Sequence, residues 1–194
     1  MKNDRHALKE RGNDLYQTHP VAVHALLKVE QLQEFIWEPA CGPGAIVRTL
    51  RGEGFKVMST DLVDYASPDQ DFGHRDFLKE THLPAGTDAI LTNPPFKIAN
   101  QFAVKALELC PRVYLLLRLA FLESNGRTEL LESGHLHNVY VFRNRLPMMH
   151  RDGWEGKKST SNMAFAWFCW NRNFKQATTV SRISWEWQIE EKAA

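Results

Sequence analysis

Three features are scarce in this 194-residue sequence: cysteines, long apolar runs and an excess of charge of either sign. The three cysteines, Cys41, Cys110 and Cys169, are odd in number and far apart, which favours reduced thiols over a disulfide framework. No segment has the length and apolar character of a membrane span, and the polar N-terminus lacks the apolar core of a signal peptide. We therefore expect a cytoplasmic protein without a membrane partner.

Closely spaced metal ligands are scarce as well. Positions 135–137 read His-Leu-His, which is the one hint of a metal site, because metal-binding motifs usually contain ligand pairs at short spacing. Two histidines of this kind are more typical of a surface or loop pair. The sequence therefore predicts no metal.

The net charge of +1 provides no global electrostatic attraction for nucleic acid. Between positions 143 and 175, however, there are seven basic residues and only two acidic ones. A predicted loop at 146–162 belongs to this stretch and contains Arg151, Trp154, Lys157 and Lys158. Such a loop is suited to contact phosphates and to stack on a base. A solvated surface loop in which Trp154 merely covers the core explains the same pattern.

The most informative motif is Asn93-Pro94-Pro95-Phe96, which follows the apolar run 88–92. Two successive prolines cannot continue a central strand, so the chain must leave the sheet there, at the carboxyl end where open α/β sheets bind ligands. The Asn93 side chain and the Pro94 carbonyl can accept the two hydrogens of a planar amino group, while Phe96 can stack on its ring. The motif thus indicates an exocyclic or amide nitrogen as target, with an ordinary turn as the alternative.

A second motif lies upstream, where an apolar segment at 35–37 runs into Glu38-Pro-Ala-Cys-Gly42-Pro-Gly44 and then into a helical pattern. Strand, glycine turn and helix in this order are typical of nucleotide-binding folds, although the glycine pair alone is a weak signal. Asp61 ends the next β-type stretch, 17 residues after Gly44, where a carboxylate can accept both ribose hydroxyls. These residues indicate a nucleoside cofactor, unless Asp61 is simply a solvated carboxylate.

In these motifs and their order, residues 15–170 resemble the class I S-adenosylmethionine-dependent methyltransferases. More narrowly, they resemble the group that methylates adenine N6 and carries an Asn-Pro-Pro-aromatic tetrad. The resemblance implies S-adenosyl-L-methionine as cofactor, adenine in DNA as substrate, and a catalytic role for Asn93, Pro94, Pro95 and Phe96.

The resemblance also implies a set of cofactor-binding residues: Glu38, Gly42 and Gly44 in the glycine motif, Asp61 on the ribose, Leu62 and Phe77 on the cofactor's adenine, Asp76 on its amino group, and Asn93. Residues 14–20 resemble the family's Tyr-x-Thr-Pro element near the methionine part, but His19 interrupts it. Either Tyr16 or Thr18 is then expected to touch the cofactor. Arg118 is expected to border the substrate side.

The periodicity predicts one α/β domain over 1–194, a Rossmann-like, doubly wound, mostly parallel seven-stranded sheet with helices on both faces. Helices are expected at 4–13, 20–33, 44–53, 98–109 and 126–133. Strands are expected at 35–38, 56–61, just before Asp76-Phe77, and at 88–92, 113–117, 138–143 and 164–170. No separate target-recognition domain is expected, so specificity must come from loops or from a protein partner.

Other functions remain open. The same chemistry fits RNA adenine or a protein glutamine amide, although the glutamine enzymes favour Tyr at the position of Phe96. A different class is a non-catalytic module that binds cofactor or nucleic acid within a larger complex, and the intact Asn93 argues against it.

Overall fold

Four α-helices and seven strands make up the part of the chain that the structure, a computed structural model, describes: residues 17–147 and 163–186. The helices are α1 (Pro20–Leu27), α2 (Ala45–Gly52), α3 (Ala99–Leu109) and α4 (Thr128–Glu132). The strands are β1 (Phe35–Glu38), β2 (Lys56–Ser59), β3 (Ala89–Thr92), β4 (Arg112–Arg118), β5 (Leu136–Phe142), β6 (Phe165–Asn171) and β7 (Thr179–Ile183).

The strands form one sheet in the order β2-β1-β3-β4-β6-β5-β7. Six of them run in the same direction, while β6 is antiparallel to both of its neighbours, β4 and β5. The prediction of a seven-stranded, mostly parallel sheet is confirmed. Within residues 17–147 and 163–186, no helix is long and apolar enough to cross a bilayer.

Both faces of the sheet are covered, because successive side chains of a strand point to opposite faces and both sets are apolar. Ile36 packs in a cluster with α1 and α2, whereas its neighbour Trp37 packs in a second cluster with α3. All four residues of β3 and the five inner residues of β4 are buried. The expected helices on both faces are therefore confirmed.

The predicted third strand, ending at Asp76-Phe77, is wrong. Only one parallel bridge, between Thr60 and Phe72, extends the sheet beyond β2 at this point. His74 then adopts a left-handed conformation with φ of 56°, which breaks the extended backbone. Asp76 instead caps a short 3-10 helix, Phe77–Lys79, by accepting a hydrogen bond from the Leu78 N–H.

Two other predictions, the last strand and the end of the first described helix, need correction. The strand β6 is not the last one, since β7 follows it and pairs in parallel along β5 at the edge of the sheet. Its sequence alternates weakly and buries only Ile183, so local periodicity does not reveal it. The helix predicted at 20–33 ends at Leu27. The helix predicted at 4–13 lies outside the described residues.

A partly buried polar network attaches the segment after α1 to β5. The Glu30 carboxylate bonds the His137 Nε2 at 3.1 Å and accepts a hydrogen bond from the Tyr140 hydroxyl at 2.8 Å. Burial raises the pKa of Glu30, but the hydrogen bonds from His137 and Tyr140 outweigh it, so the pKa lies below its usual value of 4.5. The carboxylate is thus held in its ionised form.

We expect Glu30→Gln to lower the free energy of unfolding at pH 7 by about 1.5–3 kcal/mol, the range for hydrogen bonds to a charged group. Because the folded pKa is depressed, this contribution is present above pH 4.5 and is lost as the pH falls through the folded pKa. Urea unfolding at several pH values measures it. The matched control Glu34→Gln changes an exposed carboxylate that pairs with Lys56, and should leave stability unchanged. An equal effect of both variants would contradict the assignment.

Candidate active site

A cavity of about 300 Å³ opens at the edge of the sheet where β1, β2 and β3 end. It is formed by the segments that follow these parallel strands, as expected for a ligand site in an open α/β sheet. Its lining includes nearly every residue that the sequence motifs single out within the described part of the chain: Thr18, Glu38, Asp61, Leu62, Asp76, Phe77, Asn93, Pro94, Pro95 and Phe96.

Glu38 is the last residue of β1 and is only 1% exposed. The Val47 N–H donates to its carboxylate, while the Oε2 atom has no hydrogen-bond partner among the described residues. Burial, reinforced by the nearby negative charge of Asp61, holds the pKa of Glu38 well above its usual range. Such a group is stabilised in its ionised form only when a cation or a strong donor enters the cavity.

The glycine turn builds the wall beside Glu38. Gly42 has φ of 54° and donates its N–H to the Asp61 Oδ2 at 2.9 Å. Gly44 has φ of 87° and begins α2, and a Cβ there would lie 2.2 Å from the Asp69 Cβ. The side chain that a Cβ at Gly44 would strike is thus that of Asp69. Neither glycine lines the cavity.

Asp61 is oriented before any ligand binds. Its Oδ1 accepts a hydrogen bond from the Val63 N–H and its Oδ2 from Gly42, both at 2.9 Å. Burial raises the pKa of Asp61, and these backbone donors partly oppose the rise. Each carboxylate oxygen retains a second lone pair, so the group can still accept hydroxyl donors from the cavity. Next to it, Leu62 is 62% exposed and offers an apolar surface.

Asp76 and Phe77 lie farther along the same wall. The Asp76 carboxylate accepts a hydrogen bond from Leu78 and lies 3.2 Å from the Lys79 Nζ. Phe77 is 3% exposed, with its ring 5.2 Å from Trp37 and 4.8 Å from Phe102 between centroids. Phe77 is therefore mainly a core residue that supports the cavity and presents only a small part of its ring to it.

Asn93 directly follows β3, and its orientation depends on the distant Thr18. The Asn93 Nδ2 donates to the Thr18 Oγ1 at 3.0 Å, and Thr18 is buried. Because the amide nitrogen donates to Thr18, the amide oxygen Oδ1 is the atom suited to accept an amino hydrogen. His19, which interrupts the Tyr-x-Thr-Pro element, is the N-cap of α1. Tyr16, the alternative to Thr18 in the N-terminal element, lies outside the described residues.

Two side chains from other strands pack against Phe96. The guanidinium carbon of Arg118, the last residue of β4, lies 4.2 Å from the centre of the Phe96 ring, and the Phe165 ring lies 5.6 Å away. Arg118 is therefore stacked on one face of Phe96, although it is not itself part of the cavity lining. Sequence reasoning missed Phe165, whose position at the start of β6 is set by its pairing with Arg118.

The basic loop and the histidine pair are the remaining candidate sites from the sequence. Arg151, Trp154, Lys157 and Lys158 lie outside the described residues. His135 and His137 bind different groups, the Phe174 carbonyl and Glu30, and no cluster of three or more potential metal ligands occurs in the described part of the chain.

The buried carboxylate predicts a specific pH dependence of stability. The folded pKa of Glu38 is raised above 4.5, so the folded state favours the protonated carboxyl. The contribution of this carboxyl to the free energy of unfolding is fully present below pH 4.5 and is lost as the pH rises through the folded pKa. The uncharged Glu38→Gln should remove this loss and stabilise the cofactor-free protein at neutral and higher pH, by about 1.4 kcal/mol for each pKa unit of the shift. Thermal unfolding across a pH series, with the exposed Glu108→Gln as control, measures it. Parallel curves for Glu38→Gln and wild type would contradict the raised pKa.

Several solved structures share this fold at low sequence identity. A candidate RNA methyltransferase from Pyrococcus horikoshii matches with a TM-score of 0.53 and 14% identity, over 78% of this chain and 80% of its own. A modification subunit of a candidate type I restriction enzyme from Vibrio vulnificus matches with a TM-score of 0.58 and 16% identity, over 90% of this chain. The match covers 48% of that subunit, so this chain spans about half of its length.

A protein solved in connection with the conversion of a disulfide into a thioacetal during echinomycin biosynthesis also matches, with a TM-score of 0.52 and 13% identity over 89% of this chain and 86% of its own. Since one fold supports different chemistries, function must be argued from the site. No protein-family model matches the sequence, and a search of curated proteins found no match. What these similarities establish is the fold: the protein has the Rossmann-like α/β fold that these solved structures share.

Proposed function

We propose that the protein is an S-adenosylmethionine-dependent N-methyltransferase that methylates the N6 amino group of adenine in DNA. The observation that carries the proposal is that Asn93 to Phe96 line the same cavity as Glu38 and Asp61. An amino-group acceptor site and a nucleoside-type site thus share one cavity. The methyltransferase fold of the structural neighbours supports this assignment.

The cavity residues fit S-adenosylmethionine, which carries positive charge on its ammonium and sulfonium groups. The buried Glu38 Oε2 suits the ammonium, and the Asp61 carboxylate suits the ribose hydroxyls. The exposed Leu62 suits the apolar face of the adenine, and Asp76 its amino group. When bound, the cofactor supplies an electrophilic methyl group on sulfur. We expect Glu38 to ionise as the ammonium binds, because the cation compensates the buried negative charge.

The chemistry of the target explains the tetrad. The N6 amino group is a weak nucleophile because its lone pair is delocalised into the ring. Asn93, held by Thr18, and the Pro94 carbonyl accept the two amino hydrogens and localise the lone pair toward the methyl donor. These contacts strengthen as the nitrogen becomes tetrahedral, so they stabilise the transition state more than the ground state. The surplus proton becomes acidic only after methylation, so no strong base is required.

Phe96 supplies the stacking surface for the target base. Arg118 covers one face of the ring, so an incoming base uses the opposite face or takes the place of the guanidinium. In a duplex the base must first be flipped out, which costs a few kcal/mol. Phe96, rather than a tyrosine, favours adenine over a glutamine amide. Asn93, already oriented by Thr18, favours an enzyme over a non-catalytic module.

The substrate class is tested by incubation with methyl-labelled S-adenosylmethionine and separate DNA, RNA and protein fractions. We expect label in DNA, recovered as N6-methyladenine after digestion. Label in RNA alone would replace DNA by RNA in the proposal. Label in protein would replace adenine by glutamine, and cofactor binding without transfer to any fraction would favour the non-catalytic module.

Asp61→Asn should weaken binding of S-adenosylhomocysteine by about 1–3 kcal/mol, because an amide accepts hydroxyl hydrogens at one oxygen and without charge. Isothermal titration calorimetry measures the change. Asp64→Asn makes the same substitution three residues away, outside the cavity lining, and should leave affinity unchanged. Equal affinities for Asp61→Asn and wild type would remove Asp61 from the cofactor site.

Asn93→Ala should reduce kcat by at least about 100-fold, as for the loss of one preorganised transition-state contact, with little change in cofactor affinity. Thr18→Val should also lower kcat, because it releases the Asn93 amide, whereas Thr18→Ser retains the hydroxyl and should restore most of the activity. The rate of methyl transfer is measured for all three variants, together with wild type. Full activity of Asn93→Ala would refute the proposed chemistry, and equal rates for the Val and Ser variants would refute the positioning role.

A further inference from the structure

Beyond the cavity, the substrate half of the sheet has a basic rim. Arg118 ends β4, Arg143 directly follows β5, and Arg182 is the penultimate residue of β7. These three strands run in the same direction, so their carboxyl ends, and the three arginines, lie along one edge of the sheet. This is the edge on which the candidate active site opens.

A groove of about 580 Å³ lies on this rim. It is lined by Phe142, Arg143, Asn144, Arg145, Ala164, Phe165, Trp185 and Glu186. Phe165 joins the groove to the active site, because its ring also lies 5.6 Å from that of Phe96. A bound chain that placed one unit on Phe96 would therefore continue into the groove past Phe165.

The groove is held together by contacts between β5, β7 and the segments that follow them. The Arg143 N–H donates to the Ile183 carbonyl at 2.9 Å, and the Trp185 indole N–H donates to the Asn144 carbonyl at 3.3 Å. Trp185 also packs against the core. The indole is thus a fixed, partly exposed aromatic surface at the end of the strand β7.

The charges of the groove favour a polyanion. Arg143 and Arg145 are exposed, and within the described residues neither forms a salt bridge, while Glu186 is the acidic residue in the lining. Arginine is the side chain best suited to phosphate, since its planar fork of donors matches phosphate oxygens. An aromatic ring beside such arginines is the arrangement by which proteins hold unpaired bases.

We propose that this groove binds the single-stranded nucleic acid segment that flanks the target nucleotide. Arg143 and Arg145 bind its phosphates, and Trp185 stacks on a neighbouring unpaired base. The inference rests on the proposed function, because it takes the target base to be on Phe96. A single strand fits better than a duplex, since paired and stacked bases do not offer a ring face to Trp185.

The arginines are tested by fluorescence anisotropy with labelled adenine-containing oligonucleotides, as single-stranded DNA, single-stranded RNA and duplex DNA, at several salt concentrations. We expect wild type to bind single strands more tightly than duplex. The double variant Arg143→Ala/Arg145→Ala should bind at least about 10-fold more weakly at low salt. Its slope of log K against log salt should fall by about 1.4, since each phosphate contact to a single strand contributes about 0.7.

The matched control removes two positive charges elsewhere. Lys56 begins β2 and Lys105 lies in α3, and both belong to ion pairs away from the groove. The double variant Lys56→Ala/Lys105→Ala should keep the wild-type salt slope. A wild-type slope in the Arg143/Arg145 variant, tighter binding of duplex than of single strands, or no oligonucleotide binding by wild type would each overturn the proposal. The tighter binder of the two single strands shows whether the groove prefers DNA or RNA.

Trp185 is tested by a pair of substitutions. Trp185→Leu retains apolar bulk but removes the aromatic face, and should weaken single-strand binding by about 5- to 150-fold, the range for one lost base stack. Trp185→Phe retains a ring and should recover most of the affinity. Equal affinities for the two variants would overturn the stacking role even if both lose some stability.

Methyl transfer separates failure of the groove from failure of the proposed function. If wild type methylates adenine and the groove variants retain its kcat/KM, the groove proposal is wrong and the function stands. If wild type binds single strands through the groove but transfers no methyl group, the function is wrong and the groove stands as a nucleic-acid site.

Discussion

The parallel pairing of β1 with β2 on one side and β3 on the other is the constraint on which the site depends. Glu38 lies opposite Ser59 in one ladder, and Trp37 lies opposite Ile90 in the other. This register brings the ends of three strands to one edge, so residues far apart in sequence surround one cavity. The apolar residues of β3 and β4, buried on both faces, hold that register.

The same architecture buries a carboxylate in the lining of the cavity. Glu38 is nearly inaccessible, has one oxygen without a partner among the described residues, and lies near the second acid Asp61. Its ionised form is unfavourable in the isolated protein and becomes favourable when a cation enters the cavity. Such a group lowers the stability of the empty protein and strengthens binding of a positively charged ligand, a trade-off that is common at functional sites.

The part of the cavity around Asn93 and Phe96 is organised by contacts between distant segments. Thr18 orients Asn93 across 75 positions of sequence, and Arg118 and Phe165 enclose Phe96 from two further strands. A side chain oriented in this way loses little freedom when its ligand arrives, which lowers the cost of reaching the reactive geometry. In the proposed function, the exposed arginines and Trp185 would extend this surface along the sheet edge and contact the strand that carries the target base.

The sequence by itself determined the local elements and the positions where they end. Apolar periodicity located six of the seven strands, and proline and glycine marked the turns that carry Asn93 and Gly42, because these signals act within a few residues. Tertiary structure alone decided that His74 breaks the expected third strand and that the weakly patterned β7 pairs with β5. It also decided that Thr18 reaches Asn93 and that Phe165 reaches Phe96. These features depend on sheet register and on packing between distant segments, which local sequence patterns do not encode.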